Sequence, residues 1–514
     1  MIVSPPPPLP AALLEAPTFV ESRIEVGADR FEYQLIDVDG DTRVDLLAAT
    51  IAPGERKLRL WKQRADASFP PAPDWQLAVP PDVVAFSLLD LREEAGRELL
   101  LMTRATLWSL STTKEGLQGN VRRELDFAFF PDLPDPERLP CWRMVEDLDG
   151  DGKEELLAMS ADGGLAVVAI EGSAQERQLR VRCHLGCYEE PARAARGSFS
   201  FGSGGVETRA GELGANPSLF PGGRSSKPTL TGAFLLERRR RFLLPRLEDF
   251  DGDGQFERID VVNGRWQVAP ALFESRRGER EAIVELPAGA RDASERHWID
   301  LDGDGRRELV SFSTDDDDKV ALAWTSAPDP GQPLGAKIAE TPSARVKLAG
   351  MNVGFALVDV DHDGRLDLTA RVLDVPTGLS TLATVRLDSA FHVFRGGPGA
   401  TWSKAPDFSF QRQFKPEQLA RVQESLLLDL RGDFDGDKVN DLVTTQLDGR
   451  IEIRAVRRDG EQLQLIEPPF ASFQPPAQVT RLETWDLSLD GVADLVLRHE
   501  RAFTLFVSRA GAKR

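Results

Sequence analysis

Residues 300–309 read DLDGDGRREL, and seven other segments of the chain follow this pattern in whole or in part. In each, an apolar stretch leads into acidic residues at alternate positions, and a further acidic residue stands four places on, before a second apolar stretch. A unit that recurs about every 50 residues predicts a repeat architecture, in which neighbouring units bury a shared core. The loops begin at Asp37, Asp90, Asp147, Asp249, Asp300, Asp359, Asp433 and Asp486, at spacings of 53, 57, 102, 51, 59, 74 and 53 residues.

Six of these loops carry oxygen ligands at positions 1, 3, 5 and 9, and the backbone carbonyl at position 7 completes each set. Such a cage of hard oxygen ligands is typical of calcium, whereas zinc favours nitrogen and sulfur. The predicted ligands, with the position-7 residue contributing its carbonyl, are Asp37, Asp39, Asp41, Arg43 and Asp45; Asp147, Asp149, Asp151, Lys153 and Glu155; Asp249, Asp251, Asp253, Gln255 and Glu257; Asp300, Asp302, Asp304, Arg306 and Glu308; Asp359, Asp361, Asp363, Arg365 and Asp367; and Asp433, Asp435, Asp437, Val439 and Asp441.

Two loops depart from the complete set. The second has Arg92 at position 3, where the guanidinium group can take the place of an ion and pair with Glu94 and Glu98. We therefore predict that the loop at Asp90 is metal-free and that the chain binds six or seven calcium ions. The eighth loop replaces one carboxylate by a hydroxyl and is expected to bind less tightly, through Asp486, Ser488, Asp490, the Val492 carbonyl and Asp494.

The loops are not EF-hands. An EF-hand needs a glutamate at position 12 and a helix on either side, but position 12 is Ala48 in the first loop and Ala158 in the third. The segments that follow the loops read as strands. With these ligands and strands, the repeat resembles the FG-GAP or VCBS repeat, the calcium-binding propeller blade of integrin α-subunits and of many bacterial exported proteins.

The resemblance covers about Thr18 to Arg509 and is strongest in the loops. The Phe-Gly and Gly-Ala-Pro pieces of the integrin form are largely missing, so the VCBS form is closer. The resemblance implies an all-β fold, a single eight-bladed β-propeller with an ion loop between the first two strands of most blades. A spacing near 53 suits one four-stranded blade. The segment 18–26, TFVESRIEV, is expected to close the ring as the outer strand of the last blade.

The predicted domain organisation is a Pro-rich spacer at 1–16, either behind an exported anchor or as an ordinary terminus, and a propeller at 17–510. Insertions are expected at about 188–240 and 374–425, the second with a short helix at 416–425. A ninth blade in the interval of 102 residues is the alternative to the first insertion, but the abundant Gly, Ser and Pro favour an inserted loop.

Other chemical signals are weak. The five histidines form no cluster, and His362 inside the sixth loop is interpreted as loop filler rather than a catalytic base. Cys183 and His184, with Cys187 and Tyr188, are a metal-site alternative, but a disulfide or two plain thiols on an outer strand is the favoured interpretation. The tripeptide Arg431-Gly432-Asp433 overlaps an ion ligand, the run Asp315 to Lys319 is expected in a turn, and the basic run Arg238 to Arg241 is expected on a solvated strand.

These features predict a non-enzymatic, calcium-stabilised propeller that is extracellular, periplasmic or on the cell surface. A protein or an anionic glycan is expected on the face opposite the ion loops, in an adhesion, scaffold or recognition role, with the propeller monomeric or part of a larger assembly. The net charge of −20 argues against nucleic acid, and no apolar run reaches the length of about 18 residues of a membrane span. Alternatives are a polysaccharide lyase that resembles eight-bladed rhamnogalacturonan lyases and a structural subunit of an envelope assembly.

Overall fold

The computed structural model shows eight antiparallel four-stranded sheets, one for each repeat. The predicted eight-bladed, all-β propeller is confirmed. Among the described residues the one helix is the single turn Ala288–Arg291, so none is long and apolar enough to span a membrane. The structure describes residues 18–509 except 53, 114–115, 118–120, 130–136, 161–164, 173–176, 186–187, 190–204, 214–234, 244–245, 263–264, 270–280, 292, 294, 316–317, 330–333, 350–351, 375–386, 415–427 and 461.

Each blade has a first strand that enters the ion loop and a second strand that leaves it. In chain order, the first strands are Arg30–Ile36, Ala85–Leu89, Val145–Glu146, Arg246–Glu248, Glu295–Ile299, Asn352–Val358, Leu428–Gly432 and Arg481–Trp485. The second strands are Asp45–Ala52, Glu98–Met102, Glu155–Met159, Glu257–Val262, Glu308–Asp315, Asp367–Asp374, Asp441–Thr445 and Asp494–Arg498. Every second strand therefore begins at the acidic residue in position 9.

The third and fourth strands complete the blades. The third strands are Glu55–Trp61, Thr106–Leu110, Leu165–Glu171, Arg265–Ala269, Asp318–Trp324, Leu387–Phe394, Ile451–Arg454 and Ala502–Arg509. The fourth strands are Trp75–Ala78, Arg122–Asp126, Gln178–Leu185, Ala282–Glu285, Ala344–Leu348, Phe408–Phe414, Ala471–Phe473 and, for blade 8, Thr18–Glu25. Short hairpins join the third and fourth strands of four blades, at Thr112–Thr113 with Gly116–Leu117, Ser326–Pro328 with Ala336–Ile338, Gly396–Gly397 with Thr401–Trp402, and Val456–Asp459 with Gln462–Leu465.

The antiparallel order of the strands divides the connections between two faces of the ring. Connections from first to second and from third to fourth strands lie on one side, which we call the ion-loop face. Connections from second to third strands, and from one blade to the next, lie on the other side, which we call the opposite face.

Buried apolar clusters lie between neighbouring blades all round the ring. Blades 4 and 5, for example, meet where the rings of Phe250 and Trp298 stack with their centroids 4.6 Å apart. The eighth and first blades also share a cluster, which includes Ile24, Phe31 and Phe503. Each blade thus buries its faces against its neighbours, and the core is a series of clusters between blades.

The N-terminal strand pairs with the last strand of the chain. Thr18 lies opposite Arg509 and Glu25 lies opposite Ala502, in one unbroken antiparallel register. Ile24 and Val26 are fully buried, and the Ser22 hydroxyl accepts a hydrogen bond from the backbone N–H of Phe69 at 2.9 Å. The strand thus belongs to blade 8 and also packs on blade 1.

The two long intervals differ from the expected inserted loops. The first contains a sheet of three strands, Tyr188–Glu189, Gly205–Leu213 and Leu235–Leu243, in which the last strand pairs with both others. The interval 374–425 is not one insertion, since it holds the third and fourth strands of blade 6 and its extra length lies in their connections. The spacer 1–16 and the helix expected at 416–425 lie outside the described residues.

Truncation of the N-terminal strand's core residue should weaken the ring. Ile24→Ala removes a fully buried side chain from the cluster between blades 8 and 1 and should lower the free energy of unfolding by roughly 2–5 kcal/mol. Glu21→Ala, at an exposed position of the same strand, is the matched control and should change it by less than about 0.5 kcal/mol. Equal effects of the two variants in denaturant titrations would contradict the assignment.

Candidate metal sites

Seven of the eight loops share one backbone shape. Their positions 4 and 6 have positive φ, a conformation that favours glycine, and glycine fills most of these positions. The residues other than glycine that have positive φ at these positions are Thr42, His362, Lys438 and Leu489. The loop at Asp90 differs, because its positive φ lies at position 7, on Gly96.

Carboxylates at positions 1 and 5 fix this shape by accepting backbone hydrogen bonds. In blade 5, Asp300 accepts from the N–H groups of Gly303 at 2.8 Å and Gly305 at 3.0 Å, and Asp304 accepts from Arg306 at 2.8 Å. The other six loops repeat the bonds to positions 1 and 5. The acidic residues therefore build the turn as well as offering oxygen ligands.

The carboxyl group at position 9 is buried in every blade, with at most 3% of the residue exposed. It accepts a hydrogen bond from the N–H of position 2, as Glu308 does from Leu301 at 2.9 Å. Burial nevertheless raises the pKa of this group to about 7 in Asp45, Glu155, Glu308, Asp367 and Asp494, and to about 9 in Asp441. A cation in the loop would offset this desolvation cost.

The predicted ligands converge. Oxygen atoms within 4.8 Å of one another come from Asp37, Asp39 and Asp45; Asp147, Asp149 and Glu155; Asp249, Asp251 and Glu257; Asp300, Asp302 and Asp304; and Asp359, Asp361 and Asp367. The loops at Asp433 and Asp486 share their hydrogen-bond pattern. Buried atoms at position 3 have no hydrogen-bond partner, namely Asp302 Oδ1, Asp361 Oδ1 and Ser488 Oγ. These oxygens fit a calcium ion, which would supply the missing partner.

Basic side chains reach position 3 in several loops, so the loops are not equivalent. Lys62 lies 2.6 Å from Asp39, and Arg182 lies 2.5 Å from Asp149. In blade 5, by contrast, Asp302 accepts hydrogen bonds from backbone N–H groups of the blade 6 hairpin, those of Gly399 at 2.7 Å and Ala400 at 3.2 Å. The ligand motif does not reveal these partners, because they come from other strands and blades.

The loop at Asp90 contains an internal cation, as its sequence predicts. The Arg92 guanidinium lies 3.6 Å from Glu98 and 2.6 Å from Glu124, and it also donates a hydrogen bond to the Ser109 hydroxyl. The predicted pairing with Glu98 is confirmed. The predicted pairing with Glu94 is wrong, because Glu94 is exposed and Glu124 on the fourth strand takes its place.

Three other sequence signals have structural explanations. Asp433 of the Arg-Gly-Asp tripeptide is 8% exposed and accepts hydrogen bonds inside its loop. Asp315 and Asp318 pair across the expected turn between two strands. Cys183 is a free thiol whose pKa burial raises to about 11, which disfavours a thiolate ligand.

Comparison with known proteins gives one family match. Residues 300–370 match the FG-GAP-like repeat, which confirms the resemblance inferred from the loops. No curated protein matches the chain. Similar solved structures include Sqt1 from Chaetomium thermophilum, at 9% identity over 96% of this chain and 100% of that one, with a TM-score of 0.40. Another is a Photorhabdus luminescens Tc holotoxin pore, at 15% identity over 94% of this chain and 19% of that one, with a TM-score of 0.28.

Calcium should bind to the seven loops and stabilise the ring. Each ion that binds only the folded state adds about 2.7 kcal/mol when free calcium is about 100 times its Kd, so removal of calcium should lower Tm markedly. Elemental analysis should find six or seven ions per chain. Asp300→Asn with Asp304→Asn should remove one ion, and the matched change Asp90→Asn should remove none. Fewer than four ions, or an unchanged Tm without calcium, would contradict the assignment.

The stabilisation by calcium should increase with pH. In the ion-free protein the position-9 carboxyls have raised pKa values, so this state loses stability as pH rises from about 4 towards about 7. The calcium-bound carboxylates are charged and do not share that loss. The gain in Tm on adding calcium to ion-depleted protein should therefore be larger at about pH 8 than at about pH 5.5. A gain that is equal or smaller at the higher pH would argue against buried carboxylate ligands.

Proposed function

We propose that this propeller of FG-GAP-like repeats is a calcium-stabilised binding module outside the cytosol that holds a protein or an anionic glycan partner on its opposite face. The observation that carries the proposal is that the two faces of the ring are built differently. The ion-loop face is built from repeated loops with buried carboxylates, whereas the longest connection of the chain leaves the ring on the opposite face.

Calcium acts as a structural pin in this proposal. Position 1 follows the first strand of a blade and position 9 begins the second, so one ion ties these two strands together. Loops of extracellular modules bind calcium with Kd values of about 10⁻⁴ to 10⁻³ M and fill only where calcium is abundant. This requirement supports an extracellular, periplasmic or cell-surface location.

The segment between blades 3 and 4 is the proposed contact region. Residues 188–245 contain nine basic and five acidic side chains, in a chain with a formal net charge of −20. Its basic run lies on the strand Leu235–Leu243, with Arg239 opposite Arg209 and Arg241 opposite Glu207. A basic sheet on an acidic protein favours an anionic partner, with an attraction that weakens as salt rises.

The proposed role is recognition without catalysis. The buried titratable groups of the ion loops have a structural role, since they shape the turns and supply the oxygen cages. Such a module is able to act as a monomer or as the docking subunit of a larger assembly, because its blades bury their apolar faces against each other and leave the opposite face available.

Neutralisation of the basic strand should abolish capture of the proposed partner and leave the ring folded. The variant Arg238→Gln, Arg239→Gln, Arg240→Gln and Arg241→Gln, and a second variant in which a short Gly-Ser linker replaces 195–228, are tested on an acidic glycan array and in pull-downs from native membranes. Calcium binding and Tm should match the unmodified protein while capture is lost. Arg122→Gln with Arg123→Gln, on the exposed outer strand of blade 2, is the matched control and should retain capture. Undiminished capture by the first two variants would place the partner elsewhere.

A further inference from the structure

Asn440 joins the ion loops of blades 6 and 7. It occupies position 8 of the seventh loop, next to the ligand Asp441, and is 4% exposed. Its backbone N–H donates to the Val360 carbonyl at 2.7 Å, and its side-chain Nδ2 donates to the Asp359 carbonyl at 3.0 Å. Its Oδ1 lies 3.1 Å from His362 Nε2. Three hydrogen bonds therefore link one residue of the seventh loop to positions 1, 2 and 4 of the sixth.

These bonds connect the two buried carboxylates through short peptide segments. The Val360 carbonyl accepts from the Asn440 N–H, and the Val360 N–H donates to Asp367 at 2.9 Å. In the seventh loop, Phe434 donates to Asp441 at 2.9 Å. Because Asn440 and Asp441 are consecutive, a backbone shift in one loop is transmitted to the ligand that begins the next second strand.

Two consecutive arginine residues also connect the same two loops. Arg457 and Arg458 lie on the Val456–Asp459 arm of the blade 7 hairpin. Arg457 pairs with Asp435 and with Asp437 at 2.8 Å, in the seventh loop. Arg458 crosses to the sixth loop, where it lies 2.5 Å from Asp361 and 3.3 Å from Asp363. The sixth loop also holds Arg395, which lies 3.3 Å from both Asp361 and Asp363. Each cage therefore has a guanidinium group of the hairpin arm at ligand positions 3 and 5, and the sixth has one more from blade 6 itself.

We propose that the loops of blades 6 and 7 form one coupled pair of calcium sites, in which the first ion raises the affinity for the second. An ion that enters either loop must displace an arginine of this hairpin arm. Once one guanidinium group has withdrawn, the adjacent one is already displaced in part, so the second ion meets less competition. Asn440 is the positioning residue that keeps the two loops in register. This inference rests on the proposed calcium loading.

Two other pairs of neighbouring loops also have a side-chain bridge: Arg307 of the fifth loop donates to Asp249 of the fourth at 3.5 Å, and Arg97 of the second loop forms a bidentate ion pair with Glu154 of the third. Leu366 donates its backbone N–H to the Leu301 carbonyl at 2.9 Å, and Phe256 donates to Leu148 at 3.1 Å, but neither position-8 side chain has a polar group. Blades 6 and 7 differ from these pairs because they combine the Asn440 bridge with two consecutive arginines that reach the ligands of both loops.

Counting bound ions in the full chain tests the coupling. Radioactive calcium is equilibrated with ion-depleted protein at the lowest concentration that fills loops 6 and 7. Asp359→Asn with Asp363→Asn removes two ligands of loop 6 and should lower the number of bound ions by about two. The loop of blade 7 then loses its ion as well, because it no longer has the roughly 5- to 150-fold gain in affinity typical of coupled sites. The matched change in loop 1, Asp37→Asn with Asp41→Asn, should cost one. A loss of one ion in both variants overturns the coupling, whereas a wild-type chain that binds no calcium overturns the calcium assignment itself.

The role of Asn440 is tested in the same assay. In the Asn440→Ala background, silencing loop 6 should cost one ion, because the loops then bind independently. A melting curve in calcium checks that the variant folds. Should it not fold, His362→Gly removes the side-chain bond at position 4, and glycine tolerates the positive φ there. A loss of two ions in the folded Asn440→Ala or His362→Gly background would overturn the positioning role.

Discussion

Each blade buries a carboxyl group at the first residue of its second strand, and the free-energy cost of removing that group from water has to be offset by the loop around it. The N–H of position 2 offsets part of the cost, as Phe434 does for Asp441. The pKa of Asp441 remains raised to about 9, because it is desolvated and surrounded by other carboxylates. A cation beside the carboxylate offsets this desolvation cost. In blade 2 it is the guanidinium group of Arg92, and in the other blades we propose calcium.

The same loops also fit against each other around the ring. A β-carbon added to Gly303 would lie 2.4 Å from the Gly364 carbonyl oxygen, and one added to Gly40 would lie 2.6 Å from the Gly96 nitrogen. Glycine at position 4 of the first and fifth loops is therefore required by the neighbouring blade, in addition to being favoured by its positive φ. In the sixth loop His362 stands at this position, and its ring nitrogen lies within hydrogen-bond distance of Asn440 across the blade boundary. The ion loops thus form a contact network between blades, in addition to their role within each blade.

The sequence predicts the structural features that recur with the repeat or alternate along a strand. The ligand spacing indicates the strands on either side of Asp300 and Glu308, and the alternation in 18–26 indicates the strand that pairs with Ala502–Arg509. What depends on tertiary contacts is not predictable from the pattern. Glu124 replaces Glu94 as the partner of Arg92 because the fold brings the fourth strand under the loop, and Arg458 reaches Asp361 across 97 residues of chain. The two strands within 374–425 are not apparent from the repeat spacing, because long connections lie before Leu387 and after Phe414.

We propose that one buried acidic cage recurs around the ring and holds calcium in every loop whose third residue is not itself an arginine. The decisive experiment is a crystal structure of the protein grown with calcium, with anomalous scattering to identify the ion. We expect anomalous peaks inside the loops at Asp37, Asp147, Asp249, Asp300, Asp359, Asp433 and Asp486, and a guanidinium group but no peak in the loop at Asp90. Loops without peaks, in which Lys62, Arg182 and Arg457 still pair with their carboxylates in abundant calcium, would contradict it.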